Sequence, residues 1–591
     1  MDGEDIDGSE TSRKWPAPIR LGHTIPEGDV HVSDLNPLFL QGFIFMVYQA
    51  VSVSLPTWEA SLGWATRKPD VINKMKSGYP RFFIHPMITH LASLVVKKYG
   101  VESSTLLAML FPTSDVAERC AAYISKYHQD PQLQTMHVVP KWESTLTGKW
   151  TSIHAVLFSP ENFPYAKKFW QHTGEGISSR RAELCLSLIT AGGMERVDGG
   201  THQPSDNADK VRKDLEAVNG NGNLGTGEKT TSTSLDHGKE AWKEKATICQ
   251  RVAHLASNES VIVSSSDVFL YPAGMKAIFD IYRALLIAFP SHKKTICYGF
   301  GYVDTFKILS TFGPQDAILY GHGTVAELDE LEALLESGTT ILTLFCEVPT
   351  NPLLKSPDLK RIRKLADRYD FVVVCDDTIG TSANCDLIPY VDVIVTSLTK
   401  LFSGGCNVMG GTATVNPRSK QHDAIREALD AIFVDTYFPS DAIIMERNSH
   451  NYAQRVKATN RNAQLMAELL HNHPSTEQVF YPSLSRTKQN FDQCRRPDGG
   501  YGYLLAIKFK RITDAITFHD RLDVAKGPTL GTNFTIACAY TIFAHYNELQ
   551  WAAQYGVEEY LVRVSVGMEP TAMLLDVVKR ALKYTEVSID G

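Results

Sequence analysis

The chain has 591 residues, 43% hydrophobic and 21% charged, an ordinary globular usage that excludes a mainly disordered or fibrous protein. At about 150 residues per domain the length allows roughly four domains, or one large α/β enzyme with appendages. Lysine and arginine number 59 against 66 aspartates and glutamates, a net charge of −7, which argues against a general nucleic-acid binder, since that needs a basic footprint. Ten scattered cysteines, none in C-x-x-C spacing, fit reduced thiols in a cytosolic protein better than a disulfide framework.

In chain order, residues 1–35 are acidic and polar, lack the apolar core of a secretory signal, and are expected to be disordered. Residues 36–194 form an N-terminal extension: a lid, an oligomer contact or a regulatory module, with plain packing against a core as the ordinary alternative. Residues 195–240 are rich in Gly, Asn, Ser, Thr, Asp and Lys and lack aromatics; such a segment buries too little apolar surface to order itself and reads as a disordered insertion. It holds two false motifs. Gly220-Asn-Gly222-Asn-Leu-Gly225 matches G-x-G-x-x-G, but neither flank is apolar, as the strand before it and the helix after it would have to be. Ser205-Asp206-Asn207, taken with Ser397-Leu-Thr-Lys400, mimics a β-lactamase-like set that also needs K-T-G, which is absent. Asn258-Glu-Ser260 and Asn533-Phe-Thr535 match the glycosylation triplet and are discounted for want of a secretory signal.

Residues 241–435 alternate strand and helix. Tyr271-Pro-Ala-Gly274-Met275 leads into a helix over Lys276–Phe289, too short and too charged to span a membrane. Strands are predicted at 340–345, 371–375, 392–396 and 411–415, with a helix between the first two capped by Ser356-Pro357. This pattern indicates a parallel sheet covered by helices, an α/β fold. In residues 436–591, Asp441–His473 reads as a long helix or a helix pair stopped by Pro474, and Tyr503–Phe509 as a strand of a second α+β unit.

Ligands of open α/β sheets bind beyond the carboxyl ends of the strands. Those ends carry Glu347, Thr350 and Asn351; then Asp376, Asp377 and Thr378; then Ser397, Thr399 and Lys400. Each alone reads as a loop residue. Together they offer a lysine suited to Schiff-base chemistry and an acid, Asp376, able to pair with a pyridinium nitrogen, the two groups that pyridoxal phosphate requires. Gly274 and the following helix N-terminus suit a phosphate, with Ser397 and Thr399 as added donors. Tyr298 is a candidate to stack on the ring, its plainer reading being a core aromatic.

The ordered set Ala273-Gly274-Met275, Tyr298-Gly299, Glu347-Val-Pro-Thr-Asn351-Pro352, Asp376-Asp-Thr378, Ser397-Leu-Thr-Lys400 and Val562-Arg563-Val-Ser-Val-Gly567 resembles the Cys/Met-metabolism pyridoxal-phosphate enzymes. The resemblance covers residues 245–585. Val51-Ser-Val-Ser-Leu-Pro-Thr-Trp58, Gly78-Tyr-Pro-Arg-Phe-Phe83 and Trp170-Gln-His-Thr-Gly-Glu-Gly176 are similar to the long fungal-type cystathionine γ-synthases and extend it back to residue 36. The resemblance implies the type I fold of these transferases: an aspartate aminotransferase-like large domain with a mainly parallel seven-stranded sheet, and a smaller C-terminal α+β domain.

By that resemblance Lys400 is the Schiff-base lysine, Asp376 holds the pyridinium nitrogen and Tyr298 stacks on the ring. Gly274, Met275, Ser397 and Thr399 hold the phosphate, Asn351 reaches the ring hydroxyl, and Arg563 clamps the substrate α-carboxylate, with Thr529 and Glu347 beside it. Tyr79 and Arg81 match a Y-x-R pair that family members borrow from a neighbouring subunit for the phosphate; the segment Trp170–Gly176, with His172 in place of the arginine, is the alternative. No metal is expected. The implied reaction is γ-replacement on an O-acylhomoserine, O-acetylhomoserine foremost, with cysteine to give cystathionine in transsulfuration and methionine biosynthesis. The implied protein is a cytoplasmic homodimer or homotetramer that handles small amino acids, not nucleic acid or membrane. Gly405-Cys406 and Thr529 depart from the family pattern and leave open another thiol, a carbon nucleophile or a γ-lyase reaction; a non-catalytic regulatory homologue is the alternative of another class.

Overall fold

A computed structural model describes residues 21–25, 51–100, 105–141, 148–197, 237–290, 293–314 and 317–586. Most of residues 1–35 and most of the insertion lie outside these. Two short strands, β1 (Thr24–Ile25) and β2 (Ser52–Val53), pair antiparallel. The extension then folds as an α+β unit around an antiparallel sheet of β3 (Leu107–Phe111), β4 (Gln134–Pro140), β5 (Ile153–Phe158) and β6 (Met194–Val197), ordered β3-β5-β4-β6. Every residue of β5, the inner strand flanked by β3 and β4, is buried, as a strand covered on both faces must be. On the helix Pro86–Tyr99, Ile88, Leu91 and Val95 recur at helical spacing and face a core with Val138, Ile153 and Ala155. A second core gathers Phe111, Cys120, Ile124, Phe158 and Phe169. The extension therefore has its own hydrophobic interior. β6 pairs with β4 through Val197, and the next described helix opens at His237, so both ends of the segment 195–240 carry regular structure.

The large sheet contains β7 (Val268–Tyr271), β8 (Lys294–Tyr298), β9 (Ile318–Tyr320), β10 (Ile341–Glu347), β11 (Val372–Asp376), β12 (Val393–Thr396) and β13 (Gly411–Val415), in the order β7-β13-β12-β11-β10-β8-β9. Neighbours from β12 to β9 run parallel; β13 is antiparallel to both β12 and β7, so one of the predicted parallel strands is reversed. Side chains alternate between two cores. Val373 and Cys375 join Leu344 and Ile394 on one face, while Val372 and Val374 join Phe345, Val393 and Val395 on the other. The helix after β10 runs Leu359–Tyr369 and is capped by Asp358, whose carboxylate accepts from Arg361 N at 3.0 Å, not by Ser356.

The predicted long helix is a pair, Pro439–Asn448 and Tyr452–His471. The second packs on a five-stranded sheet of β14 (Thr476–Phe480), β15 (Leu504–Phe509), β16 (Ala525–Lys526), β17 (Ile536–Ala539) and β18 (Val562–Ser565), ordered β14-β15-β18-β17-β16. Among the described residues no helix is long and apolar enough to cross a membrane.

Candidate active site

The parallel register sets Glu347 at the end of β10 directly beside Asp376 at the end of β11. Ser397 to Lys400 follow β12 as a turn, anchored by Leu398, which is wholly buried in the core. These strand ends open on a cavity of about 210 Å³ that is lined by all three parts of the chain, including Tyr79, Gly274, Tyr302, Lys400 and Arg563.

Lys400 is buried, and its Nζ donates to the Tyr79 hydroxyl at 2.6 Å. Burial pushes that phenol up, but the charges of Lys400 and Arg81 outweigh it and leave the hydroxyl below its ordinary value. The loop after Lys400 is fixed by Arg455, a fully buried guanidinium that donates to the Leu401 and Phe402 carbonyls, both at 2.9 Å, and to Asn533 Oδ1 at 2.6 Å.

Asp376 Oδ1 accepts from Thr378 N at 2.8 Å, yet burial lifts the carboxyl to about 6. Burial and the neighbouring Asp376 charge lift Glu347 to about 8. Glu347 accepts from the backbone N–H groups of Tyr302 and Asn351. It lines the cavity, but its visible work is to fix those two residues. In the cofactor-free fold both carboxyls keep protons that the unfolded chain has released. The folded state therefore binds more protons, and stability falls as pH rises from the ordinary carboxylate range to about 8. Asp376→Asn removes the Asp376 share and relieves Glu347. It should stabilise the cofactor-free protein by on the order of 1–3 kcal/mol at neutral pH and flatten the slope. Thermal denaturation at several pH values checks this, and an unchanged slope contradicts it.

A phosphate-sized anion fits the other end. Ala273, at the N-cap of the helix Gly274–Ala288, offers no side-chain cap, so the first N–H groups face the cavity side with the positive end of the helix dipole. A Cβ on Gly274 would meet Ser397 Cβ at 2.8 Å, so only glycine admits this close approach. Thr399 is more committed than its sequence suggests: its hydroxyl donates to Gly410 O at 3.2 Å and accepts from Gly410 N at 3.1 Å. Arg81 brings a guanidinium to the same cavity, held by Asp304 at 3.2 Å and lying 4.4 Å from the Tyr302 ring centre. Arg563 also lines the cavity. Arg563 donates to Asn351 Oδ1 at 3.3 Å and to the Pro528 carbonyl at 2.7 Å, and it lies 4.8 Å over the Tyr540 ring.

Several sequence expectations change. Tyr298 does not line the cavity; its hydroxyl donates to Thr324 O at 2.8 Å. The tyrosine of this stretch that does line the cavity is Tyr302, four residues on, where the chain turns from β8 into the helix Val303–Phe312. The sequence reading chose Tyr298 alone; the turn after β8 brings Tyr302 to the cavity instead. Thr529 gives its backbone carbonyl to Arg563 at 3.3 Å, while Pro528 and Leu530 line the cavity. Tyr79 and Arg81 line it, as does part of 170–176, but His172 turns away to Asp304 at 4.0 Å, and burial holds its ring at about 4. Cys406 also lies away from the cavity, its thiol donating to Ile25 O at 3.3 Å. Arg455, inside the helix Tyr452–His471, and Tyr540, which follows β17, escaped the sequence reading because neither stands in a motif with a chemical signature.

One cavity thus gathers a guanidinium of the kind that takes a carboxylate, a lysine of the kind that holds a carbonyl cofactor, and a buried acid. The chain matches the family described as Cys/Met metabolism PLP-dependent enzyme over residues 248–583, and the fungal trans-sulfuration enzyme N-terminal domain over residues 87–178. Cystathionine gamma-synthase of Neurospora crassa is 38% identical over 96% of this chain and 99% of its own. The cystathionine gamma-synthase-like protein ankD of Aspergillus thermomutatus is 39% identical over 91% of this chain and 93% of its own. Among solved structures, cystathionine gamma synthase from Xanthomonas oryzae pv. oryzae, in complex with aminoacrylate and cysteine, covers 66% of this chain and all of its own at a TM-score of 0.51 and 20% identity, a likeness of fold.

Proposed function

We propose, for a chain that belongs to the Cys/Met metabolism PLP-dependent enzymes, that its reaction is γ-replacement on an O-acylhomoserine, O-acetylhomoserine foremost, with cysteine as nucleophile and cystathionine as product. One observation carries this reading: Lys400, Asp376 and Arg563 come from three different elements and line one cavity. Bound pyridoxal phosphate supplies an electron sink for the substrate's α-carbon. Arg563 takes the substrate α-carboxylate and fixes its orientation. The Lys400 amine removes the α-proton and then works at Cβ, with the Tyr79 hydroxyl in contact to share the proton. Asp376 would hold the proton of the cofactor's ring nitrogen, and Tyr302 would offer it an aromatic surface. The γ-acyloxy group leaves as a carboxylate, and the cysteine thiol adds at Cγ. Assembly as a homodimer or homotetramer, and a cytosolic location, go with this reading.

A second reading, γ-replacement with another thiol or a carbon nucleophile, is favoured by the charges. Of the arginines that line the cavity, Arg81 is paired with Asp304 and Arg180 with Asp441 at 2.7 Å, which leaves Arg563 for one carboxylate. Purified enzyme should be given O-acetylhomoserine with cysteine, with other thiols, with a carbon acid and with water alone. Cystathionine formed at least about tenfold faster than any other product supports the first reading. A faster product from another nucleophile, with no cystathionine, replaces it with the second.

A further inference from the structure

The N-terminal unit touches the catalytic unit at a charged, buried point that the reaction does not use. The helix Phe163–Thr173 ends at Gly174, in left-handed conformation at φ 65°. A Cβ there would stand 2.8 Å from Lys276 N and 2.8 Å from Met275 Cβ, so this turn sits directly on the first turn of the helix Gly274–Ala288. The next residue, Glu175, is buried, and its Oε1 lies 2.8 Å from Lys276 Nζ and 2.5 Å from Arg119 Nη2. Lys276 Nζ also reaches Asp280 Oδ1 at 2.5 Å, and Arg283 approaches the same oxygen at 3.4 Å. Burial pushes the Glu175 carboxyl up, but Lys276 and Arg119 outweigh it and hold it at about 2, so the carboxylate is ionised. The dipole at this helix end disfavours a cation such as Lys276; Glu175 and Asp280 offset that.

We propose that Glu175, through Lys276, is a positioning residue for the phosphate end of the cofactor site, so that docking of the N-terminal unit and retention of the cofactor are coupled. The helix turn that Glu175 grips is the one that presents Gly274 and Met275 to the cavity. If the turn is set only when Glu175 is seated, the cofactor binds more tightly to the docked state. By reciprocity, bound cofactor then holds the N-terminal unit in place. This rests on the phosphate lying at that helix end.

The test uses the full chain stripped of cofactor and titrated with pyridoxal phosphate. Glu175→Gln should raise the dissociation constant about tenfold, a coupling of ordinary size, while circular dichroism stays that of the parent. Limited proteolysis of residues 51–197 gives the reciprocal readout: cofactor should protect the parent and fail to protect the variant. Lys276→Met should weaken binding similarly, and the double variant should lose no more than the worse single one, as for two residues acting through one contact. Unchanged affinity in Glu175→Gln, additive losses, or protection that persists in the variant would each overturn the coupling. Should Glu175→Gln fail to fold, Lys276→Met and the protection assay on the parent still decide. A parent protein that binds no pyridoxal phosphate would instead defeat the cofactor placement itself.

Discussion

Lys400→Ala should yield a folded protein that no longer retains pyridoxal phosphate covalently and turns over at least about 10³-fold more slowly, because it loses both the attachment point and the proton carrier. Borohydride treatment followed by mass measurement reports the attachment; product formation reports the rest. The fold should survive, since Lys400 Nζ has the Tyr79 hydroxyl as its described partner and the surrounding turn is held by backbone bonds and by Arg455. A second readout separates this from general damage. Removing the ammonium takes away one of the charges that hold the Tyr79 phenol down and leaves burial opposed by the arginines alone, so the phenol should titrate at higher pH in the cofactor-free variant. Turnover within a few-fold of the parent would remove Lys400 from the chemistry.

Arg563→Leu should lower kcat/KM by on the order of 10²- to 10³-fold, the effect of truncating one partner of a buried charged pair. The loss has two origins. The substrate carboxylate loses its planar fork, and Asn351 and the Pro528 carbonyl lose the donor that fixes them. Arg563→Lys should recover only part, since an ammonium cannot reach a carboxylate and two protein acceptors in one plane. An analogue lacking the α-carboxylate distinguishes clamp from scaffold. If Arg563 is the clamp, parent and Arg563→Lys should process it equally poorly; a large parent advantage with that analogue would contradict the role.

How much of this was legible in the sequence follows from where each residue sits. Glu347, Asp376 and Lys400 stand at the ends of apolar strands, and strand ends in an α/β sheet are where ligands bind, so pattern alone brought them together. Gly274 before a helix was legible because phosphate binding needs a backbone that can be approached. Tyr298 was misplaced, since periodicity fixes a strand but not which side of the following turn carries the ring. The reversed direction of β13 was equally hidden. A five-residue run pairs as well antiparallel as parallel, and the choice is made by the chain path between Lys400 and Gly411. The least legible part was the extension. Its strands and helices form an ordinary amphipathic unit, and nothing in Tyr79 or Glu175 taken singly announces that it reaches across into another unit's cavity.

That reach has a consequence for how the centre is assembled. β6 ends at Val197 and the next described helix starts at His237, yet Tyr79 meets Lys400 and Glu175 meets Lys276 across the divide. The first unit therefore behaves as a tethered ligand of the second. Both units belong to one chain, so their encounter is intramolecular and is governed by an effective concentration rather than by how dilute the protein is.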